Sequence, residues 1–202
     1  SDTLDGIGAQ LSFSPSAARI GIYGKSLKQD LPTVLDLLAE QLRQPAFTAE
    51  ELAKAKVQLE AALRQASDNP GTMARETMML SIFPAGSINA PAPREAMLKA
   101  VPQVTLEQIK AFHARYYGPA HMTLVFAGDV DAKAIETAVA HGFNGWSGGV
   151  DYLRDAPARL PAKAAEHSIA MKDKASVSVF LGQATGLRYT DADYLPMTVG
   201  VD

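Results

Sequence analysis

A chain of 202 residues with 47% apolar and 20% charged side chains can bury a sizeable core, and its composition excludes a disordered or fibrous protein. Its 19 basic and 22 acidic side chains give a net charge of -3, and neither sign forms a long block, so nothing marks a nucleic-acid partner. With no cysteine there are no disulfides or thiolate metal sites, a composition compatible with cytoplasm or periplasm alike. No apolar run reaches the roughly 18 residues of a membrane span, and Ser1-Asp-Thr-Leu begins without a basic, signal-like region, so a soluble chain is expected.

The pattern from Ile7 to Ser14, and again from Ala18 to Gly24, alternates apolar with small or polar residues and predicts two antiparallel strands. Leu31, Val34, Leu35, Leu37, Leu38 and Leu42 then recur at helical spacing until Pro45 closes the segment. Thr48 stands three residues before Glu51, the spacing of a capping box, and opens a helix to about Ser67. Leu52, Ala55, Leu59, Ala62 and Ala66 are its expected apolar face. Pro70 suits the first turn of a following helix whose apolar residues are Met73, Met78, Met79, Ile82 and Phe83, with the three methionines expected to pack in the core. Residues 84–93 read as a loop because three prolines, a glycine and an asparagine fall within them.

Thr105 and Gln108 open another capped helix through Tyr116, followed by an expected strand, Met122 to Ala127, and a helix from Ala132 to His141 that Gly142 ends. Glycine, proline and charge concentrate between Asn144 and Ala164. The expected organisation is a domain over 1–147, a linker over 148–164, and the start of a further domain, or extra strands for the same sheet, over 165–202. Ser168 to Met171 and Ser176 to Leu181 are expected strands, and Thr190-Asp191 leads into a helix. The order of elements predicts an α+β fold, a mixed or antiparallel sheet with helices packed on one side.

Several residues invite a sharper reading than their pattern carries. His113 is expected to be an interfacial or hydrogen-bonded side chain and not a ligand, and His121 a partly exposed strand start, because metal ligands come in clusters. Tyr116-Tyr117 reads as packing with a polar tip in water, not as a substrate platform. Asp131 is expected to cap the helix from Ala132, and Asp129 with Asp131 makes a poor cation site. Gly182 to Gly186 lacks the lysine of a phosphate loop, and Trp146 is expected to close the domain edge.

Four pieces occur in a familiar order: Leu4-Asp-Gly-Ile-Gly-Ala-Gln-Leu-Ser, Pro45-Ala-Phe-Thr-Ala-Glu-Glu-Leu, Asp68-Asn-Pro70, and Ala111 to Asp131 with its Tyr-Tyr-Gly-Pro turn and Gly-Asp-Val-Asp end. With the tail Asp173-Lys174, Leu181-Gly182 and Asp193-Tyr194, they resemble the pitrilysin/insulinase family of zinc metallopeptidases over nearly the whole chain. In active members of that family an inverted His-x-x-Glu-His motif supplies two imidazole ligands and a glutamate base, and a downstream helix supplies the third ligand. None of the four histidines here, His113, His121, His141 and His167, forms such a pair. Glu166 precedes His167, but Lys163 stands where the first histidine would be.

Aligned on Val57 and Leu59, the family's two glutamates on the later helix fall on Lys54 and Ala61, with Glu60 one residue away. The resemblance therefore implies a non-catalytic copy of the domain, with no catalytic or metal-binding residue of its own and no assigned substrate-binding residue. Such copies help to close a peptide-holding chamber opposite a catalytic half, which carries the zinc and lies in the same polypeptide or in a partner subunit. The competing reading is a stand-alone peptide-binding or subunit-interaction module with no protease role. Exposed sheet edges would further favour a homo-oligomer.

Overall fold

The computed structural model describes residues 2–16, 19–151 and 164–200. Its elements are α1 (Asp2–Gly6), β1 (Gln10–Pro15), β2 (Ile20–Lys25), α2 (Leu31–Arg43), α3 (Ala49–Ser67), α4 (Pro70–Ile82), α5 (Arg94–Ala100), α6 (Leu106–Tyr116), α7 (Ala132–Phe143) and α8 (Tyr194–Gly200). The class is α+β. Packing within the chain defines two units, one comprising Ser1–Ala53 with Val104–Leu153, the other Lys54–Gln103 with Arg154–Asp202. The expected linker lies mostly outside the described residues.

In the first unit β1 and β2 form an antiparallel hairpin in which Phe13 faces Ile22 and Leu11 faces Gly24. Ser16 and Arg19 close it: the Ser16 amide donates to the Arg19 carbonyl at 2.8 Å. The hairpin starts three residues later than the sequence pattern suggests, because residues 2–6 wind into α1 and place Leu4 and Ala9 in a small core with Val34 of α2. Lacking a cap or a long apolar stripe, α1 gave no sequence signal.

The larger core of this unit is built on α2. Leu35, Leu38, Ala39 and Leu42 are buried with Phe143 of α7, since residues three and four apart share one face of a helix. Each such leucine contributes about 1.5–3 kcal/mol by leaving water. The two helices approach closely because Gly142 lies against Ala39: a Cβ on Gly142 would stand 3.1 Å from that of Ala39. Gly142 therefore does not end α7, as its identity suggested, but lies within it, and the C-cap is Asn144. Arg43 donates to the Gly142 carbonyl at 2.6 Å, satisfying one of the acceptors that the end of a helix leaves open.

Residues 122–127 correct a second expectation. They are not a strand: no hydrogen-bonded ladder forms there among the described residues. The alternation survives nonetheless, with Met122, Leu124 and Phe126 packed on the α2 core while Val125 is 86% exposed. A period of two fixes which side chains face the core, whereas a ladder needs a neighbouring strand. For the same reason 168–171 and 176–181 are without ladders. The sheet among the described residues is the β1–β2 pair.

The second unit gathers most of α3 with α4 and α5. Asn69 accepts from the Thr72 amide at 2.9 Å and Pro70 occupies the first turn of α4, as the sequence indicates. Met73, Met78 and Met79 are half-buried, short of the core positions expected for them. Arg94, at the start of α5, pairs with Glu76 of α4 and donates to the Leu63 carbonyl of α3 at 3.2 Å, joining three helices through one guanidinium. The sequence did not announce α5, whose N-cap is Pro93 with no side-chain cap.

Candidate functional site

Helix α3 carries Lys54 and Ala61, the positions at which the resemblance places the family's two glutamates and with them the third zinc ligand, so its orientation decides what they can do. Thr48 caps it, accepting from the Glu51 amide at 3.2 Å. Its inward face is Leu52, Lys56, Glu60, Leu63 and Ala66, all half-buried, while Ala55, Leu59 and Ala62 are exposed. The expected apolar face was thus displaced by part of a turn. Two apolar stripes run along α3, and the long stems of Lys56 and Glu60 cover the inner side while their charged ends are satisfied. Lys56 reaches the Pro102 carbonyl at 2.9 Å, and Glu60 lies 3.7 Å from Arg64 one turn on.

Lys54 and Ala61, seven residues apart, project from nearly the same side of the helix. Both are exposed, and Val57 between them is 70% exposed. A methyl group and an ammonium offer no lone pair to a cation at neutral pH. Glu60 is rotated about 100° from Ala61 around the helix and turned toward the interior of its unit. Among the described residues no three His, Asp or Glu side chains converge as a metal site would require. The residues present on α3 do not fit zinc.

The histidines are dispersed into other tasks. In α6, whose capping box is complete between Thr105 and Gln108, His113 places Nε2 2.8 Å from the Leu42 carbonyl at the end of α2. The same ring stacks on Tyr117 with centroids 4.5 Å apart and meets the edge of Phe47 at 5.2 Å. Phe47, from the motif before α3, has a φ of 42°, a left-handed conformation that costs a non-glycine residue about 1–2 kcal/mol and that the His113 contact helps to offset. Of the two roles expected for it, His113 takes the hydrogen-bonded one. His121 lies 3.4 Å from Asp151 on the surface. Lys163, which interrupts the would-be motif before His167, is outside the described residues.

The tyrosine pair divides. Tyr117 packs on the α2 core, whereas Tyr116 is 43% exposed, tilted against Phe112 at 4.7 Å and covered by the Arg115 guanidinium at 5.1 Å. Asp131 caps α7 by accepting from the Ala134 amide at 2.8 Å, and Asp129 pairs with Lys28 at 2.9 Å, so both carboxylates have structural partners. Trp146 packs against the same core with its ring 5.8 Å from Phe143.

The Glu107 carboxyl at the first turn of α6 is held below the usual carboxylate range, chiefly by its own backbone amide and then by the Thr105 hydroxyl. It serves the cap of α6, with a smaller contribution in the same direction from Lys110. No described helix is long and apolar enough to cross a membrane.

Comparison with known proteins agrees with this frame. Residues 1–91 match the family model described as insulinase, peptidase family M16, and residues 103–201 match the one described as the peptidase M16 inactive domain. An uncharacterized zinc protease of Streptomyces coelicolor is 20% identical over 143 residues, 71% of this chain and 31% of its own length. One of Mycobacterium tuberculosis is 26% identical over 142 residues, 69% of this chain and 32% of its own. The chain thus spans about a third of these curated relatives.

Among solved structures, a peptidase M16 inactive domain from Pseudomonas fluorescens superposes with a TM-score of 0.66 at 24% identity, covering 78% of this chain and 38% of that one. A protease from Helicobacter pylori gives 0.59 at 17% identity, covering 79% and 38%. At these identities the superpositions speak for the fold. The two family models, taken with the motifs along the chain, establish that it belongs to the M16 (insulinase) family of peptidases and carries that family's inactive domain.

Proposed function

We propose that this chain is a non-catalytic part of a zinc metallopeptidase that helps to enclose peptide substrates opposite a catalytic half. The observation that carries the reading is the side of α3 on which Lys54, Val57 and Ala61 are exposed while Glu60 turns inward beside Arg64. Catalysis by this family needs three ligands held together and an open fourth position for water, and this side of the helix supplies none of the three. Zinc then belongs to the catalytic half, in the same polypeptide or in a partner subunit, and the contribution of this chain is surface and shape.

The test is reconstitution. A family member with an intact His-x-x-Glu-His motif, taken from the same polypeptide or the neighbouring gene, is assayed on a fluorogenic peptide with and without this chain. The chain is expected to be silent alone and to raise hydrolysis by the catalytic half. No change in rate and no binding between the two would overturn the enclosing role.

A further inference from the structure

The chain holds three asparagines, Asn69, Asn89 and Asn144, and the fold sets one of them apart. Asn144 is the C-cap of α7 and is followed by Gly145, both of them exposed. Asn144 has a φ of -57° and a ψ of 135°, Gly145 has a φ of 69°, and the Trp146 amide donates to the Phe143 carbonyl at 3.1 Å. These are the angles and the bond of a type II turn, whose second central position calls for glycine. A Cβ on Gly145 would meet nothing within 4 Å, so the turn is open on that side.

A peptide bond in this setting can turn over. Glycine adopts either sign of φ without steric cost, so the plane between Asn144 and Gly145 can pass from the type II to the type I arrangement. One sense of that rotation carries the Gly145 nitrogen past Cβ of Asn144 and alongside its carboxamide. The other two asparagines are held away from such an approach. Pro70 gives Asn69 a following nitrogen with no hydrogen, and the Asn69 carboxamide oxygen accepts from the Thr72 amide at 2.9 Å. Ala90, after Asn89, carries a Cβ, and its amide donates to the Ser87 carbonyl at 3.0 Å.

We propose that Asn144 is a site of spontaneous deamidation, through attack of the Gly145 amide nitrogen on its Cγ, and that the product releases Trp146 from the core of the first unit. The Gly145 nitrogen gives up its proton and bonds to Cγ, the bond from Cγ to the side-chain nitrogen breaks, and ammonia leaves with that proton. A cyclic imide remains. Water opens it on either side: breaking the new bond to Cγ gives aspartate at 144, and breaking the original peptide bond gives isoaspartate, whose main chain runs through Cβ and Cγ. The isoaspartate adds a methylene to the turn, so the Trp146 amide no longer meets the Phe143 carbonyl. The indole, now 5.8 Å from the Phe143 ring, loses its seat on the core. Either product also sets a carboxylate at the C-terminal end of α7, the negative end of the helix dipole.

The test is ageing of the purified full chain in warm, mildly alkaline buffer, followed by peptide mapping with mass spectrometry and by enzymatic methylation of isoaspartate. Asn144 is expected to gain the mass difference between an amide and an acid while Asn69 and Asn89 keep theirs, and the aged chain should run as a more acidic form on ion exchange. Emission from Trp146, the single tryptophan, should move to the red in the isoaspartate fraction as the indole enters water. Gly145→Ala should slow the conversion several-fold. Because a Cβ strains that φ, Asn144→Gln is the second variant: it keeps both the amide and the glycine but would have to close a larger ring, and it should stay unmodified with native Trp146 emission. An Asn144 that survives ageing, equal conversion at Asn89, an undiminished rate in Asn144→Gln, or an isoaspartate fraction with native Trp146 emission would overturn the proposal.

Discussion

Replacing Leu35 by alanine removes a side chain that is 3% exposed and lies in the core formed by α2 and Phe143. The cost has two parts, the transfer free energy of the lost carbons and the cavity left where the α2–α7 contact cannot collapse. Leu→Ala at such sites costs about 2–5 kcal/mol. For a unit of about 100 residues each kcal/mol lowers the melting temperature by roughly 4–8 °C, so a fall of about 10 °C or more is expected. Trp146 is the single tryptophan of the chain and packs on this same core, so its emission during heating or urea titration reads the affected region directly. Leu59→Ala is the control, because Leu59 is 49% exposed although the sequence pattern had placed it on a buried face. Alanine there should change stability by no more than about 0.5 kcal/mol. If both substitutions shift the Trp146 transition equally, the core described here is not the one that stabilises the unit.

Glu76→Ala should cost roughly 2–3 kcal/mol, because it removes the carboxylate partner of the Arg94 guanidinium, whose side chain is 9% exposed, and leaves that charge the Leu63 carbonyl alone of the two partners described; Arg94→Met together with Glu76→Ala should recover part of that loss in urea melts, and no recovery would argue against a buried charge as the cause. Gly118→Ala should destabilise the first unit by about 1–3 kcal/mol, since a Cβ there would overlap the backbone of Gly148 and Gly149; an unchanged Trp146 transition would contradict that crossing. Glu107→Gln should lower stability at neutral pH, and the deficit should disappear in acid. The folded carboxyl has the lower pKa, so its stabilisation is present above the unfolded value and is lost as pH falls through the folded one. A deficit that persists at low pH would mean the charge is not responsible.

Helices with local signals were legible in the sequence. Thr48 before α3, Asn69-Pro70 before α4, the Thr105–Gln108 box before α6 and Asp131 before α7 each place a hydrogen-bond acceptor at the correct distance from the amides that need it. What the sequence could not supply is pairing at a distance. The alternation over 122–127 and 176–181 told which side chains share a side, but not whether a neighbouring strand would complete a ladder. On α3 the apolar residues are too many for periodicity alone to choose a face, and the choice fell to Leu52, Lys56, Glu60 and Leu63 through the stems of charged side chains. The candidate site was readable only by resemblance: nothing in the local pattern around Lys54 and Ala61 hints at a metal, and the structure adds that Glu60 turns away from them.

The central claim, that this chain lacks the means to hold a catalytic metal, is tested most directly by equilibrating the purified protein with zinc, desalting it, and measuring metal per chain alongside peptide hydrolysis. Metal well below one equivalent and no hydrolysis that a chelator abolishes are expected. One zinc retained per chain, with chelator-sensitive cleavage of peptide, would contradict it.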